Sequence, residues 1–201
     1  MLYDELGERG FTPITIALDK SLDDARPYIE RAAPRHPALV DTEHVTADPF
    51  NIINVPTMIW IDEEGRIVRP NDVRFGTDTF VAVTGRPSAP FLAAIRAWVL
   101  EGRGGLRPDE VRAHQVLPSR EQQEARAEFT LAWFLHRAGQ RDAAERHFRR
   151  ARELAPADWT IRRASLPIRG IDPMASEEFF ELWREGAPRY PSAALPENDG
   201  G

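Results

Sequence analysis

The sequence predicts an α/β domain over residues 1–101, followed by a helical region over residues 119–187. Three observations lead there. Helical and strand-like hydrophobic patterns alternate from the N-terminus to about Leu100. Within that stretch a proline-led apolar run, residues 55–62, meets the turn Glu63-Glu64-Gly65 and returns as Arg66-Ile67-Val68-Arg69, the pattern of a β-hairpin. From Ser119 onward only the helical period remains. Residues 102–118, with their glycines and prolines, read as a linker, and residues 188–201 as a disordered tail.

Composition bounds the function. A chain of 201 residues can bury one large core or two small ones. The formal charge of −6 argues against nucleic acid as a partner. Lys20 is the sole lysine among 26 basic side chains, which with abundant Ala, Pro and Gly reads as the codon bias of a GC-rich genome. There is no cysteine, which excludes disulfides, thiolate metal sites and cysteine nucleophiles in this chain. No apolar run approaches the ~20 residues that span a bilayer. The opening Met1-Leu2-Tyr3-Asp4-Glu5 lacks the basic start and apolar stretch of a signal peptide. A cytoplasmic location is expected for the chain as given, with export if an upstream segment carries a signal.

Leu2 and Leu6, spaced i, i+4, predict a short first helix capped by Gly10. Residues 12–18 (TPITIAL) predict a strand, apolar on both faces and so expected inside a sheet, with Ile14, Ile16 and Leu18 on one of them. Ser21 and Asp24 resemble a helix start, although Pro27 suggests a beginning nearer Arg26; Leu22, Ala25, Ile29 and Ala32 are its inward residues. A short extended segment at residues 38–40 and a helical turn at 48–53 follow. Residues 70–78 read as a loop, and residues 90–100 as an amphipathic helix burying Phe91, Ile95, Trp98 and Val99.

Three phrases carry a resemblance: residues 2–6 through 15–19, then Asn54-Val55-Pro56-Thr57, then residues 60–67 (WIDEEGRI). Together they resemble the ResA/TlpA-like branch of thioredoxin-fold redoxins over the first half of the chain. The resemblance implies a cis proline at Pro56 and a site at Val55, Pro56 and Thr57, where the backbone of Val55 takes an extended peptide as an added strand. It also implies a C-x-x-C motif at the N-terminus of the first helix and a central strand before it; both would lie upstream of Met1. The expected fold is therefore thioredoxin-like but lacks its first strand and redox motif. Without that strand, the one at residues 12–18 and the one at 57–61 fall into separate half-sheets. A truncated reading frame is the expectation, one route being a family variant with W-A-x-x-U-G-x-C, whose selenocysteine codon is misread as a stop.

In the helical region Ser119 and Gln122 form a capping box. A first helix is expected to run to Arg137 and end at Gly139, and a second to span residues 141–154 before Pro156. Shorter helices are expected near residues 158–165 and 176–185. Leu131, Ala132, Gly139, Ala144, Phe148, Ala151 and Pro156 resemble the tetratricopeptide (TPR) pattern, which implies one TPR-like hairpin. Phe129, Trp133 and His136 are the partner-binding candidates it suggests; the alternative is a helical cap on the first domain.

His36, Asp41, Glu43 and His44 have mixed spacing and read as solvated loop residues, so no metal or other cofactor is expected. Arg146, Arg149, Arg150 and Arg152 alternate with Glu145 and Glu153, the mark of a salt-bridged solvent face. No catalytic residue is assigned. Three functions are open: a redox-inactive relative of thiol–disulfide oxidoreductases, a redoxin-like peptide binder acting at Val55-Pro56, and a protein-docking module built on the helical hairpin.

Overall fold

A computed structural model describes residues 2–19, 21–72, 76–79, 81–115, 117–168, 170–172, 175–184 and 193–196. The chain is mixed α/β and divides into two compact units, Met1–Gln115 with Tyr190–Gly201, and Val116–Arg189. No helix among the described residues is long and apolar enough to cross a membrane.

In the first unit α1 (Leu2–Leu6) runs into a 3-10 turn (Gly7–Arg9) that ends on Gly10 at φ 84°. Glycine reaches this left-handed conformation without the steric cost that a Cβ brings. β1 (Thr15–Ala17) pairs in parallel with β2 (Ala38–Val40), and α2 (Leu22–Ala32) connects them. α2 begins at Leu22, not near Arg26, because the Ser21 hydroxyl accepts the Asp24 N–H at 3.2 Å and caps the first turn. Pro27 then sits inside the helix. Of the four residues expected to face inward, Ala25 is buried and Ile29 half-buried, while Leu22 and Ala32 are exposed.

β3 (Met58–Ile61) pairs antiparallel with β4 (Ile67–Asp72). β4 extends past the expected end at Arg69. Pro70 is tolerated because it falls in an irregularity between the Met58–Asp72 and Trp60–Arg69 pairs, a bulge where no ladder N–H is required of it. Among the described residues, no strand of one ladder pairs with a strand of the other. β1 therefore has β2 as its one neighbour, and Ile14 (60% exposed) and Ile16 (39%) remain in solvent instead of in the expected sheet interior, as does Leu39 of β2 (52%).

After α3 (Val81–Thr84), α4 (Ser88–Glu101) covers the β3–β4 hairpin. Leu6, Trp60, Phe91, Ala94 and Ile95 form the core, with Trp98 and Val99 only partly buried. Arg96 donates twice to the Glu5 carboxylate, at 2.7 and 2.8 Å, and links α1 to α4. Both side chains are about half exposed, so water screens the pair and it adds little to stability.

Two sequence expectations are corrected here. The supposed linker at residues 102–118 contains α5 (Pro108–His114), whose Val111 is buried, and the Leu106 N–H donates to the Val68 carbonyl at 2.8 Å. Of the expected tail, residues 193–196 are described, with Ala193 buried and Leu195 packed on the core of the first unit; residues 188–192 and 197–201 lie outside the described residues. Composition missed both because a few apolar residues suffice where a waiting surface satisfies the backbone.

In the second unit α6 (Arg120–Arg137) and α7 (Arg141–Leu154) form an antiparallel hairpin. The Ser119 hydroxyl accepts the Gln122 N–H at 3.2 Å, and the Gln122 side chain accepts the Ser119 N–H at 2.8 Å. Ala125, Ala132, Ala144 and Ala151 are each at most 1% exposed, and such small side chains let helices approach closely. α8 (Trp159–Ile168) and α9 (Glu177–Arg184) follow, joined by a Trp159–Phe179 ring contact at 5.8 Å.

Candidate functional site

Val55, Pro56 and Thr57 precede β3 as an extended bend, and the Val55–Pro56 peptide bond is cis. Val55 is 44% exposed and Pro56 is exposed, while the Thr57 hydroxyl oxygen is buried without a hydrogen-bond partner. The structure thus brings the three expected residues to the head of β3. The segment carries main-chain groups and an exposed apolar side chain, which is the chemistry of strand addition.

Two buried polar side chains fix turns in the chain that leads from β2 to this segment, and sequence reading missed their role. The Asn71 amide on β4 donates to the Phe50 and Asn51 carbonyls at 2.7 and 3.0 Å, fixing the turn ahead of buried Ile53. Asn71 falls in what the sequence suggests is a loop, so nothing marks it as buried. Asp41 accepts the Val45 N–H at 3.0 Å, and the Thr46 N–H and hydroxyl at 2.8 and 2.7 Å. An aspartate followed four and five residues on by a small polar turn was the available signal.

Burial by itself pushes the Asp41 carboxyl up. The hydrogen bonds from the Thr46 hydroxyl and from the Thr46 and Val45 amides outweigh it and hold the group below the ordinary aspartate range. A carboxyl with a depressed folded-state pKa stabilises the fold above its unfolded pKa of about 3.9, and loses that contribution as pH falls through the lower folded value. Denaturant unfolding of the parent chain and Asp41→Asn from pH 6 to pH 2 should therefore show a constant stability gap above about pH 5. The gap should narrow at pH values below the ordinary aspartate pKa. A gap independent of pH would mean that the carboxylate is not held in this way.

The remaining polar candidates are spread out. His36 lies edge-on to Tyr3 at 6.2 Å and near the Thr15 hydroxyl at 3.4 Å, while the Asp41 oxygens are taken by Val45 and Thr46. Among the described residues no three His, Asp or Glu side chains gather as metal ligands would. With no cysteine in the chain, no thiol reaches the Val55–Thr57 segment either.

On the helical hairpin Phe129, Trp133 and His136 do come together. Phe129 meets Phe148 at 5.3 Å, the Trp133 and His136 rings stack at 5.7 Å, and His136 meets Phe148 at 6.3 Å. All are half-buried, because these positions fall on the side of α6 that meets α7. The exposed apolar residues of α6 are instead Leu131 (43%) and Phe134 (60%). The arginine-rich face of α7 is salt-bridged: Arg150 meets Glu124 and Arg152 meets Glu145, each at 3.3 Å. His147 lies 2.5 Å from the Glu128 carboxylate.

Compared with protein-family models, curated proteins and solved structures, the chain matches none.

Proposed function

We propose that the chain is a thioredoxin-like module of the thiol–disulfide oxidoreductase type that carries no thiol and works by holding extended polypeptide at Val55-Pro56-Thr57. The observation that supports this reading most is the division of the first unit into two unjoined ladders, β1–β2 and β3–β4. Among the described residues it leaves β3, headed by the exposed Val55, with β4 as its one paired neighbour. A lone strand edge keeps backbone donors and acceptors that a peptide strand can satisfy. The element order, with a proline-led hairpin strand covered by α4, supports the same reading. The α6–α7 hairpin is read as a TPR-like cap or docking element, on the strength of its four buried alanines.

Titration with a fluorescently labelled unfolded protein, reduced and carboxymethylated α-lactalbumin, tests the proposal by anisotropy. The parent chain should bind it. Val55→Pro, which removes an N–H from the edge, should weaken binding at least tenfold, roughly the loss of 1.4 kcal/mol or more. Val55→Ala should weaken it less, since the backbone is untouched. Absence of binding by the folded parent chain, or binding indifferent to Val55→Pro, would overturn the reading.

A further inference from the structure

A buried arginine in the first unit holds a distant segment of the same chain. Arg69 on β4 is 2% exposed. Its guanidinium donates to three main-chain carbonyls: Gly104 at 2.8 Å, Ala193 at 3.0 Å and Ala194 at 2.8 Å. It also lies over the Trp60 ring at 5.1 Å, and Trp60 in turn stacks on Trp98 at 5.0 Å. Two of the three acceptors come from one extended segment far away in the chain, so the guanidinium binds that segment through its backbone.

The side chains of the segment alternate as in a strand. Ala193 is buried, Ala194 is exposed, and Leu195 packs against the core that contains Trp60 and Phe91. Pro196 closes the register on Gly104, where φ is 101° and an added Cβ would stand 3.0 Å from the Pro196 Cγ. Only glycine fits that wall beside a proline. The receptor thus reads a small residue, any residue, leucine and proline. The carbonyls it binds are common to every peptide, so the three side-chain positions carry the selectivity.

We propose that Arg69, Trp60, Trp98 and Gly104 form a binding site for extended peptides of the pattern small-x-Leu-Pro, which the chain fills with its own residues 193–196 and from which an external peptide of that pattern displaces them. A buried guanidinium needs acceptors whichever chain supplies them, so the tethered segment and a free peptide compete for one site. Tethering gives the chain's own segment a high effective concentration, and the parent chain therefore binds free peptide weakly.

The test uses the full chain and a fluorescein-labelled Ser-Ala-Ala-Leu-Pro-Glu peptide. Leu195→Asp, which removes the tethered segment's anchor, should bind the peptide at least tenfold more tightly than the parent chain does. Adding Arg69→Lys to Leu195→Asp should lose that gain, as should a peptide with aspartate in place of leucine. Circular dichroism establishes that each variant is folded. Because the chain has no cysteine, a nitroxide on Ala194→Cys gives an independent readout in an otherwise unaltered chain. Its spectrum should show slow motion that becomes fast on adding excess unlabelled peptide. Equal affinity for the parent chain and Leu195→Asp, binding indifferent to Arg69→Lys, or a nitroxide already fast without peptide would overturn the proposal. Val55→Pro should leave this binding unchanged, which separates failure here from failure at the β3 edge.

Discussion

Replacing Asp158 with alanine should destabilise the helical unit by about 3 kcal/mol, within the range for breaking a buried ion pair. Asp158 is 4% exposed and does two things at once. Its Oδ1 caps α8, accepting the Thr160 N–H and hydroxyl at 2.8 and 2.5 Å and the Ile161 N–H at 3.4 Å. Its Oδ2 lies 3.4 Å from the Arg126 Nε, whose side chain is 17% exposed. Neither of those two atoms makes an aligned hydrogen bond, so the pair is electrostatic and the low end of the range applies. Alanine removes the cap, worth about 1 kcal/mol, and takes the Asp158 carboxylate away from beside the Arg126 guanidinium. Asp158→Asn keeps an acceptor for the cap and should cost less than alanine. Urea unfolding followed by far-ultraviolet circular dichroism gives the size of the effect. Hydrogen exchange should place it in α6 and α8, and protection there unchanged from the parent would refute it.

Trp60→Ala should cost the first unit about 3–5 kcal/mol, as for other large aromatic truncations in a core. Trp60 is 6% exposed and touches Phe91 at 5.9 Å, Trp98 at 5.0 Å and the Arg69 guanidinium at 5.1 Å. The cavity cannot collapse easily, because α4 and the β3–β4 hairpin form its two sides. Trp60→Phe keeps an aromatic face and should lose less. Thermal unfolding measures the difference, and faster hydrogen exchange at Leu195 should accompany it, since Leu195 packs on the same core. A small change in stability for Trp60→Ala would mean that the hairpin is held elsewhere.

Where a signal was local, the sequence carried it. The Ser119–Gln122 capping box, the turn at Gly139 and the Ala-rich stripes of α6 and α7 are contained within a few residues each. So are Gly10 at the end of the first helical turn and the Glu63-Glu64-Gly65 turn between β3 and β4. Around the candidate site, Val55-Pro56-Thr57 was legible as a proline-led strand head. The buried polar side chains of the same unit were not. Asp41, Arg69 and Asn71 are polar residues in or beside segments that read as loop or strand end, and polarity by itself predicts exposure.

The sequence by itself determined where α6 and α7 start and stop, which turn joins β3 to β4, and that no thiol chemistry is available to it. These follow from backbone conformational preferences and side-chain inventory, both of which act within a few residues. Tertiary structure alone decided that β1 joins β2 and not β3, which leaves Ile14, Ile16 and Leu39 in solvent. It also decided that α5 and residues 193–196 belong to the first unit, and that Phe129, Trp133 and His136 turn toward α7 while Leu131 and Phe134 stay exposed. Strand partners and buried guanidinium acceptors lie tens of residues apart or more, Arg69 and Ala193 among them. Their pairing depends on which backbone groups and apolar faces the rest of the chain leaves unsatisfied, a property no local window contains.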